Sequence, residues 1–304
     1  MFRLAHISDV HLGPLPKVTR RELASKRITG YINWQRKRKS SMNDGILEGL
    51  LTSLKQQKPD HIAITGDLVN LALKEEIGLI KGWLETVGSP DQVSIVPGNH
   101  DTYVPGALKD IISAWRPYLI GDHDDGEHPF PYLRQRGDVA MIGVNSGRAS
   151  MPFMATGSFR SKQAKHMAEL LTQPETAGKF RVVFIHHPPF EKATHWHKRL
   201  IGSDRFRKTV AASGAELILH GHTHIESLEY IDGPTGKVPV VGVPSASHAP
   251  PKIDSKSHKQ GARYNLFDID GSSGRWSCRM QEFGYEDGSD TVTQIADRML
   301  IDKT

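Results

Sequence analysis

The stretch Leu217-Ile218-Leu219-His220-Gly221-His222-Thr223-His224 is decisive for the fold, because an apolar run ends directly in a turn that carries several histidines. Four earlier clusters of acid, amide and histidine residues follow apolar, β-rich runs in the same way. They are Asp9-Val10-His11, Gly66-Asp67, Gly98-Asn99-His100-Asp101 and His186-His187. The runs before them are Leu4–Ile7, His61–Thr65, Val93–Val96 and Val182–Ile185. Open α/β folds bind ligands at the carboxyl ends of their strands, so five such clusters predict one functional site at a sheet edge.

The order of elements predicts a sheet flanked by helices. Helical spacing of apolar residues at Asp44–Gln57 and a second helix at Lys74–Val87 separate the first three strands, which gives a β-α-β-α-β rhythm. Short strands then follow one another after His224, and they predict an antiparallel or mixed sheet packed on the first half. Since no linker interrupts the chain, we expect one catalytic domain over residues 1–304, with a basic insertion at about 14–42.

Composition limits the class of protein. The chain is 38% hydrophobic and 24% charged, as is usual for a globular domain. No apolar run approaches the roughly 18 residues of a membrane span, and the start resembles no secretory signal. Cys278 is the only cysteine, which excludes an internal disulfide. These features predict a cytoplasmic protein and leave its oligomeric state open.

The five clusters supply side chains of the types that bind divalent metals. The candidate ligands are Asp9, His11, Asp67, Asn99, His186, His222 and His224. One carboxylate should bridge two ions, and Asp67 is the natural candidate because it follows a central strand. Nitrogen and oxygen ligands without a thiolate favour Mn, Fe or Zn. Two-metal sites of this kind hold a phosphoryl group for hydrolysis.

The remaining residues of the third cluster suggest acid catalysis. His100 is free to protonate the leaving oxygen if Asn99 is the ligand, and Asp101 could fix the orientation of its ring. Each cluster also has a simpler interpretation when it is considered alone. An Asp-x-His could cap a turn, the Gly98–Asp101 run could be a turn with a solvated acid, and Pro188-Pro189 could merely stop a strand. The repetition of the pattern at five strand ends favours the metal site.

In this order the motifs resemble the calcineurin-like metallophosphoesterase superfamily: Asp-x-His, Gly-Asp, Gly-Asn-His-Asp, a single His and Gly-His-x-His, all between Asp9 and His224. The resemblance implies a four-layer α/β/β/α sandwich with mixed sheets and a dinuclear metal centre. When the motifs are matched by position, it also implies two sets of metal ligands and a catalytic acid. One ion would take Asp9, His11, Asp67 and His224, the other Asp67, Asn99, His186 and His222, and His100 would be the catalytic acid. His187 would then lie behind the ligands.

The finer resemblance concerns the substrate. The forms Ile7–His11 and Thr65–Leu68 are similar to bacterial class III cyclic-nucleotide phosphodiesterases, which implies hydrolysis of a phosphodiester. A phosphomonoesterase, a lipid-linked pyrophosphate hydrolase and a nuclease remain alternatives. A noncatalytic scaffold of the same fold is less favoured, since the ligand set is intact. The expected substrate is a small-molecule or lipid-linked phosphoester, and nucleic acid is a less favoured partner.

The basic insertion is the main departure from a minimal enzyme of this kind. It contains one acidic residue, Glu22, and nine cationic residues. The cations are Lys17, Arg20, Arg21, Lys26, Arg27, Arg36, Lys37, Arg38 and Lys39. Since the whole chain carries only +5, the rest of the chain is net acidic. The segment could be a solvated helical face, or a cap that attracts anionic substrate, because it begins three residues after His11.

Two sets of residues are candidates for contact with substrate. From the insertion we single out Arg20, Arg21, Tyr31, Trp34, Arg36 and Arg38. Its two aromatic residues would suit stacking on a base or peripheral contact with a membrane. The second set lies in the loop after His186 and centres on His195 and His197, beside Trp196, Lys198 and Arg199. An exposed polar loop is the alternative interpretation of that set.

Overall fold

The structure is a computed structural model that describes residues 1–35, 44–123, 126, 129–251 and 260–302. The helices are α1 Arg20–Leu23, α2 Arg27–Asn33, α3 Asp44–Gln56, α4 Lys74–Val87, α5 Ala107–Leu119, α6 Ser161–Thr172 and α7 Ser203–Ser213. The strands are β1 Phe2–Ile7, β2 His61–Ile64, β3 Val93–Ile95, β4 Tyr132–Arg136, β5 Val139–Val144, β6 Gly157–Ser158, β7 Phe180–Ile185, β8 Leu200–Ile201, β9 Leu217–His220, β10 Ser227–Asp232, β11 Lys237–Gly242, β12 Arg263–Ser272, β13 Arg275–Tyr285 and β14 Val292–Asp302.

The first sheet has the strand order β14-β13-β12-β1-β2-β3. Strands β1, β2 and β3 are parallel, and their carboxyl ends therefore lie at one edge. Every residue of β2 and β3 is buried, as expected for parallel strands covered on both faces. The antiparallel strands β12, β13 and β14 extend the sheet from the other side of β1.

The second sheet has the order β10-β11-β9-β7-β5-β4. Its four central strands β5, β7, β9 and β11 are parallel, and antiparallel β4 and β10 form the edges. The sequence predicted a mixed sheet after His224. The structure distributes those late strands instead, since β10 and β11 join the second sheet and β12 to β14 join the first.

The two sheets face each other and carry helices on their outer faces. Alternate residues of β1 illustrate the layering, because Leu4 packs between the sheets with Phe180, whereas Ala5 packs beneath the outer helices with Leu50. Helices α3, α4 and α5 cover the first sheet, and α6 and α7 cover the second. The fold is thus the predicted α/β/β/α sandwich. Within the described part of the chain, no helix combines the length and apolarity that crossing a bilayer requires.

One buried histidine of the first sheet makes stability depend on pH. His61 of β2 is fully buried, and its Nε2 lies 2.7 Å from Ser94 Oγ. Burial, aided by the positive charges of Arg134 and Arg136, lowers the pKa of His61 from 6.5 to about 3. Between these values the unfolded chain binds a proton that the folded chain does not bind. Stability contributed by neutral His61 is therefore present above pH 6.5 and declines as the pH falls towards 3.

We expect the His61→Asn protein to lose part of this pH dependence. The free energy of unfolding should fall less steeply between about pH 6.5 and pH 5, by up to about 1.4 kcal/mol per pH unit. Urea titrations of both proteins at matched metal content would measure the difference between the slopes. Identical slopes would mean that His61 accepts its proton in the folded protein as readily as in the unfolded chain.

Candidate metal centre

The predicted site residues meet where the two sheets present the carboxyl ends of their parallel strands. Asp9 and His11 follow β1, Asp67 follows β2, and the turn with Asn99 follows β3. The second sheet brings His186 after β7 and the histidine turn after β9. The sheets are joined there directly, because His186 Nδ1 donates to the carbonyl oxygen of Thr65 at 2.6 Å. The amide of His222 donates to Asp9 Oδ2 at 2.9 Å.

Five of the predicted ligands have an unusual backbone conformation. The φ angles are 52° at Asp9, 44° at His11, 55° at Asp67, 70° at His222 and 57° at His224. For residues other than glycine this left-handed region costs roughly 1–2 kcal/mol each. Such strain persists only where the surroundings enforce it, and it concentrates at functional sites. The turns are therefore held in a conformation that aims these side chains at one point.

Asp101 holds two of these turns together. Its Oδ2 accepts hydrogen bonds from the amides of Asp67 and Gly98, at 2.7 and 2.8 Å, and its Oδ1 accepts them from Leu68 and Val69. The sequence pattern predicted Asp101 as the residue that orients the ring of His100. That prediction is wrong, because Asp101 is fully buried and its carboxylate binds backbone amides. Asp101 positions the loop that carries Asp67.

The first group of donors surrounds Asp9. His224 Nε2 lies 3.0 Å from Asp9 Oδ1, and His11 Nε2 lies 3.9 Å from the same oxygen. The ligating atoms of these three residues all lie within 4.8 Å of one another. His11 Nε2 is also 3.8 Å from Asp67 Oδ2, so the first group continues into Asp67.

The second group lies on the other side of Asp67. His186 Nε2 is 3.5 Å from Asp67 Oδ2 and 3.3 Å from Asn99 Oδ1. The ring of His222 packs on that of His186, with centroids 5.1 Å apart. Because His222 Nε2 donates to the carbonyl of Lys198 at 2.9 Å, its Nδ1 is left for an ion. Asp67 thus contacts donors of both groups, which is the position expected of a bridging carboxylate.

Backbone carbonyls fix the tautomers of the histidines. His11 Nδ1 lies 3.1 Å from the oxygen of Val69, and His186 Nδ1 lies 2.6 Å from that of Thr65. A carbonyl oxygen can only accept, so each Nδ1 carries the proton. The Nε2 atom of each ring therefore faces the carboxylate of Asp67. With a second proton on Nε2 the ring is itself a cation beside that carboxylate, and without it the Nε2 lone pair can bind a metal ion, so the residues fit a pair of divalent metal ions.

The electrostatics of the buried cluster lead to the same conclusion. Burial opposes a charge on His186, but the Asp67 carboxylate overrides it and raises the pKa of His186 to about 9. Burial also opposes the ionisation of Asp9 and Asp67. Even so, His224 holds the pKa of Asp9 well below its usual range, and His186 does the same for Asp67. The carboxylates are thus anionic at neutral pH. Two anions in so buried a site call for a compensating cation.

The profile of the family described as "Calcineurin-like phosphoesterase" matches residues 2–226, which include every member of both donor groups. The chain belongs to this family. A dimetal phosphatase from Danio rerio is similar in structure, with a TM-score of 0.62 and 12% identity over 100% of this chain and 99% of that one. A purple acid phosphatase from seeds of yellow lupin (Lupinus luteus) has a TM-score of 0.60 and 9% identity. The match covers 98% of this chain and 53% of that one. At these identities the likeness concerns the fold, and no curated protein matches the chain.

In this calcineurin-like phosphoesterase, His100 lies beside His11 and Asp67. Its ring meets that of His11 edge-on, with centroids 4.8 Å apart, and stacks on Tyr103 at 5.4 Å. His100 Nδ1 donates to the carbonyl of Asn70 at 2.6 Å, which directs Nε2 away from that loop. The amide of His100 also donates to Asp67 Oδ1 at 2.7 Å. Asn70 therefore has the orienting role that was predicted for Asp101.

His187 lies behind the second group of donors. Its Nε2 donates to the carbonyl of Ala155 at 3.1 Å, so its Nδ1 must accept from the hydroxyl of Ser146 at 2.8 Å. Burial and the adjacent His186 lower the pKa of His187 to about 3. Its ring packs on that of His222 at 4.3 Å. With both nitrogens engaged, His187 supports a ligand and has no lone pair left for an ion.

The described part of the basic insertion, up to residue 35, packs beside this site. Arg27 donates through Nε and a terminal nitrogen to the carbonyls of Leu71 and Ala72, at 2.9 and 2.6 Å. Lys26 Nζ lies 4.5 Å from the centroid of the Tyr103 ring, and that ring stacks on His100. Burial lowers the pKa of Lys26 to about 8, although Asp67 opposes the shift. The insertion is thus anchored to the loop that follows β2.

The two predicted sets of substrate-binding residues differ in how their members lie relative to the metal centre and to solvent. Arg20 and Arg21 lie exposed in α1, whereas Tyr31 and Trp34 are half-buried. Arg36 and Arg38 lie outside the described residues. In the other set, the rings of His195 and His197 stack on each other, with centroids 5.7 Å apart. That set is close to the metal centre through its neighbour Lys198, whose carbonyl accepts from His222.

Several residues that shape the site escaped the sequence analysis as contributors. Thr65, Val69, Asn70 and Lys198 act through their carbonyl oxygens, which every residue possesses. Their side chains therefore gave no signal. Lys26 and Arg27 were visible as two of nine cations, but only the packing of α2 on the loop after β2 and on Tyr103 distinguishes them from the others.

Proposed function

We propose that this chain is a metal-dependent phosphodiesterase with two divalent ions, of Mn, Fe or Zn. Asp9, His11 and His224 would hold one ion, and Asn99, His186 and His222 would hold the other, with Asp67 bridging both. The observation that carries the proposal is the position of Asp67, whose Oδ2 lies 3.8 Å from His11 Nε2 and 3.5 Å from His186 Nε2. When bound, two such ions polarise a phosphoryl group and activate water for attack on it.

The chain itself would supply the proton for the leaving oxygen. Because the Asn70 carbonyl keeps a proton on His100 Nδ1, the acid form of the ring carries its second proton on Nε2. Donation from Nε2 returns a neutral ring in the tautomer that Asn70 already stabilises. The stacked ring of Tyr103 limits rotation of His100, so the proton is offered in one direction. A positioned acid of this kind typically contributes about 10²–10⁴-fold to the rate.

The preference for a diester rests on the similarity of the Ile7–His11 and Thr65–Leu68 motifs to class III cyclic-nucleotide phosphodiesterases. A phosphomonoesterase is the second candidate, favoured by the likeness to two phosphatase structures. We further propose that residues 1–304 form one domain. The buried free thiol of Cys278 is consistent with a reducing, cytoplasmic location.

Hydrolysis of bis-p-nitrophenyl phosphate and of p-nitrophenyl phosphate by the manganese-loaded protein tests the proposal. We expect a higher kcat/KM for the diester. A preference for the monoester would replace the diesterase with a phosphatase and leave the metal centre intact. Failure to hydrolyse either ester with two metals bound would favour the scaffold. Plasmid cleavage in a parallel assay would favour the nuclease.

The insertion should matter most for highly charged substrates. Replacing Arg20 and Arg21 by Gln should lower kcat/KM for a polyanionic phosphoester, because these two exposed cations of the insertion would attract it. The loss of kcat/KM should become smaller as salt is added, because the Debye length falls from about 10 Å at 0.1 M to about 3 Å at 1 M. A matched control replaces Lys81 and Arg275, which are exposed on α4 and at the start of β13. Equal kinetics for both double variants at low salt would indicate a merely solvated face.

A further inference from the structure

Three segments that contact one another lie beside the metal centre, and we call them the rim: residues 17–35, 150–155 and 192–199. The second and third are joined, because the amide of Ala155 donates to the carbonyl of His197 at 2.8 Å. The first joins the second through Lys26, whose Nζ donates to Ser150 Oγ and to the carbonyl of Met154, both at 2.8 Å. The carbonyls of Ala155 and Lys198 accept from His187 and His222, so the rim is attached to the metal site.

The rim carries large apolar side chains in contact with solvent. Phe153 is 84% exposed, Met151 71% and Trp196 68%. Ile28 and Ile32 of α2 are nearly half exposed. Of eleven exposed large apolar residues in the described part of the chain, these three short segments hold five. Scattered exposed apolar residues are ordinary, but their concentration at one place marks a binding surface.

The backbone at Phe153 supports this interpretation independently. Its φ of 63° is in the left-handed region, where a bulky residue is a genuine outlier. Since the ring is 84% exposed, packing within the chain does not compensate for the strain. A strained turn that presents an aromatic ring to solvent is expected where that ring has a partner outside the chain.

The charges of the rim select the kind of partner. Its cations outnumber its acids eight to one: Lys17, Arg20, Arg21, Lys26, Arg27, Lys192, Lys198 and Arg199 against Glu22. Such a surface requires an anionic partner. Stacking on nucleic acid bases would use rings, yet three of the five apolar residues are aliphatic. Aliphatic and aromatic side chains among cations match the interface of an anionic bilayer, where apolar groups enter the acyl boundary and cations contact headgroups.

We propose that the rim binds the surface of a membrane that contains anionic lipids. Phe153, Met151 and Trp196 would insert at the level of the headgroups, and Arg20 and Arg21 would contact lipid phosphates. The metal centre would then face the headgroup layer. In so far as the proposed function holds, its substrates would include phosphoesters of lipid headgroups. Membrane binding itself does not depend on hydrolysis.

Vesicle flotation tests the surface directly. The full chain is mixed with vesicles of phosphatidylcholine, or of phosphatidylcholine with phosphatidylglycerol, and bound protein is measured against lipid concentration. We expect binding to the mixed vesicles that weakens with salt, and little binding to phosphatidylcholine alone. The double variant Phe153→Ser, Trp196→Ser should bind at least about tenfold more weakly, because two large apolar side chains no longer enter the interface.

Matched controls separate the rim from general hydrophobicity. Met299→Ser with Leu79→Ser removes two exposed apolar side chains, 56% and 51% exposed, on β14 and α4. This control should bind vesicles like the parent. Both double variants should show the parental circular dichroism spectrum and thermal unfolding, which shows that they are folded. An inactive Asp67→Asn protein should still bind, so failure of the proposed function would not affect the result.

Three outcomes would overturn the proposal. The first is the absence of binding to either kind of vesicle. The second is equal binding by the parent and the Phe153→Ser, Trp196→Ser variant. The third is binding to single-stranded RNA, but not to vesicles, with the same dependence on Phe153 and Trp196, which would identify the rim as a nucleic acid surface.

Discussion

Asp67→Asn protein should lose most of its metal and hydrolyse bis-p-nitrophenyl phosphate at least about 10³-fold more slowly than the parent. The expectation follows from geometry, because one carboxylate oxygen lies 3.8 Å from His11 Nε2 and 3.5 Å from His186 Nε2. An amide has the same shape but carries no negative charge, so it cannot bridge two cations as well. A loss of several kcal/mol in the stabilisation of the transition state corresponds to this change in rate.

Elemental analysis after dialysis would measure metal per chain. Asp204→Asn is the matched control, since Asp204 lies exposed at the start of α7 and should keep both metal and activity. Thermal unfolding should show that the Asp67→Asn protein is folded. Two metals per chain in the Asp67→Asn protein would contradict the bridging position of this residue.

His100→Ala protein is expected to separate metal binding from turnover. If His100 donates the proton from Nε2, its loss should leave both metals in place and lower kcat by about 10²–10⁴-fold for an alkyl leaving group. The loss should shrink for p-nitrophenol, which leaves readily without a proton. A comparison of alkyl and nitrophenyl esters, with metal content measured in parallel, would test both expectations.

The controls for His100 are needed because this residue lies close to the predicted metal ligands. One of its ring nitrogens lies within 4.8 Å of ligating atoms of His11 and Asp67, so a role as a ligand must be distinguished from a role as an acid. Loss of one metal in the His100→Ala protein would assign it to an ion. An equal loss for all leaving groups would exclude proton donation. His123→Ala, which removes an exposed histidine, should change neither property.

Much of the fold could be predicted because local patterns specified the strands that carry the site. The runs that precede Asp9, Asp67 and His186 all form strands, and helix α4 at Lys74–Val87 matches the predicted bounds. Helix α5 was not predicted, and it contains Pro117 in its last turn. The edge strands β4 and β14 were also missed. None of the eleven residues of β14 is buried, and its half-buried and exposed side chains do not alternate regularly along the strand.

The pairing of strands could not be predicted from local pattern. Strand β12 lies antiparallel to β1, with Leu4 opposite Phe267, although the two are separated by most of the chain. Such a contact depends on the packing of both sheets and leaves no periodic signal in the sequence. For this reason the late strands were expected in one sheet, whereas the structure divides them between two.

The candidate metal ligands of the site could be predicted from the sequence, whereas the contacts that support them could not. Side chains such as His222 and Asn99 are chemically distinctive, and their place after a strand indicates a shared edge. Asp101 has the same signal, yet it accepts four backbone hydrogen bonds and stabilises the loop after β2. A carboxylate that binds amides cannot be distinguished from one that orients a histidine until the turn geometry is known.

Anomalous diffraction from crystals of the manganese-loaded protein would test the central claim most directly. The account predicts two peaks about 3.5–4 Å apart, as in other two-metal sites. Asp67 should lie between them, with His11 beside one peak and His186 beside the other. A single peak at full occupancy, or two peaks that Asp67 does not bridge, would contradict the account.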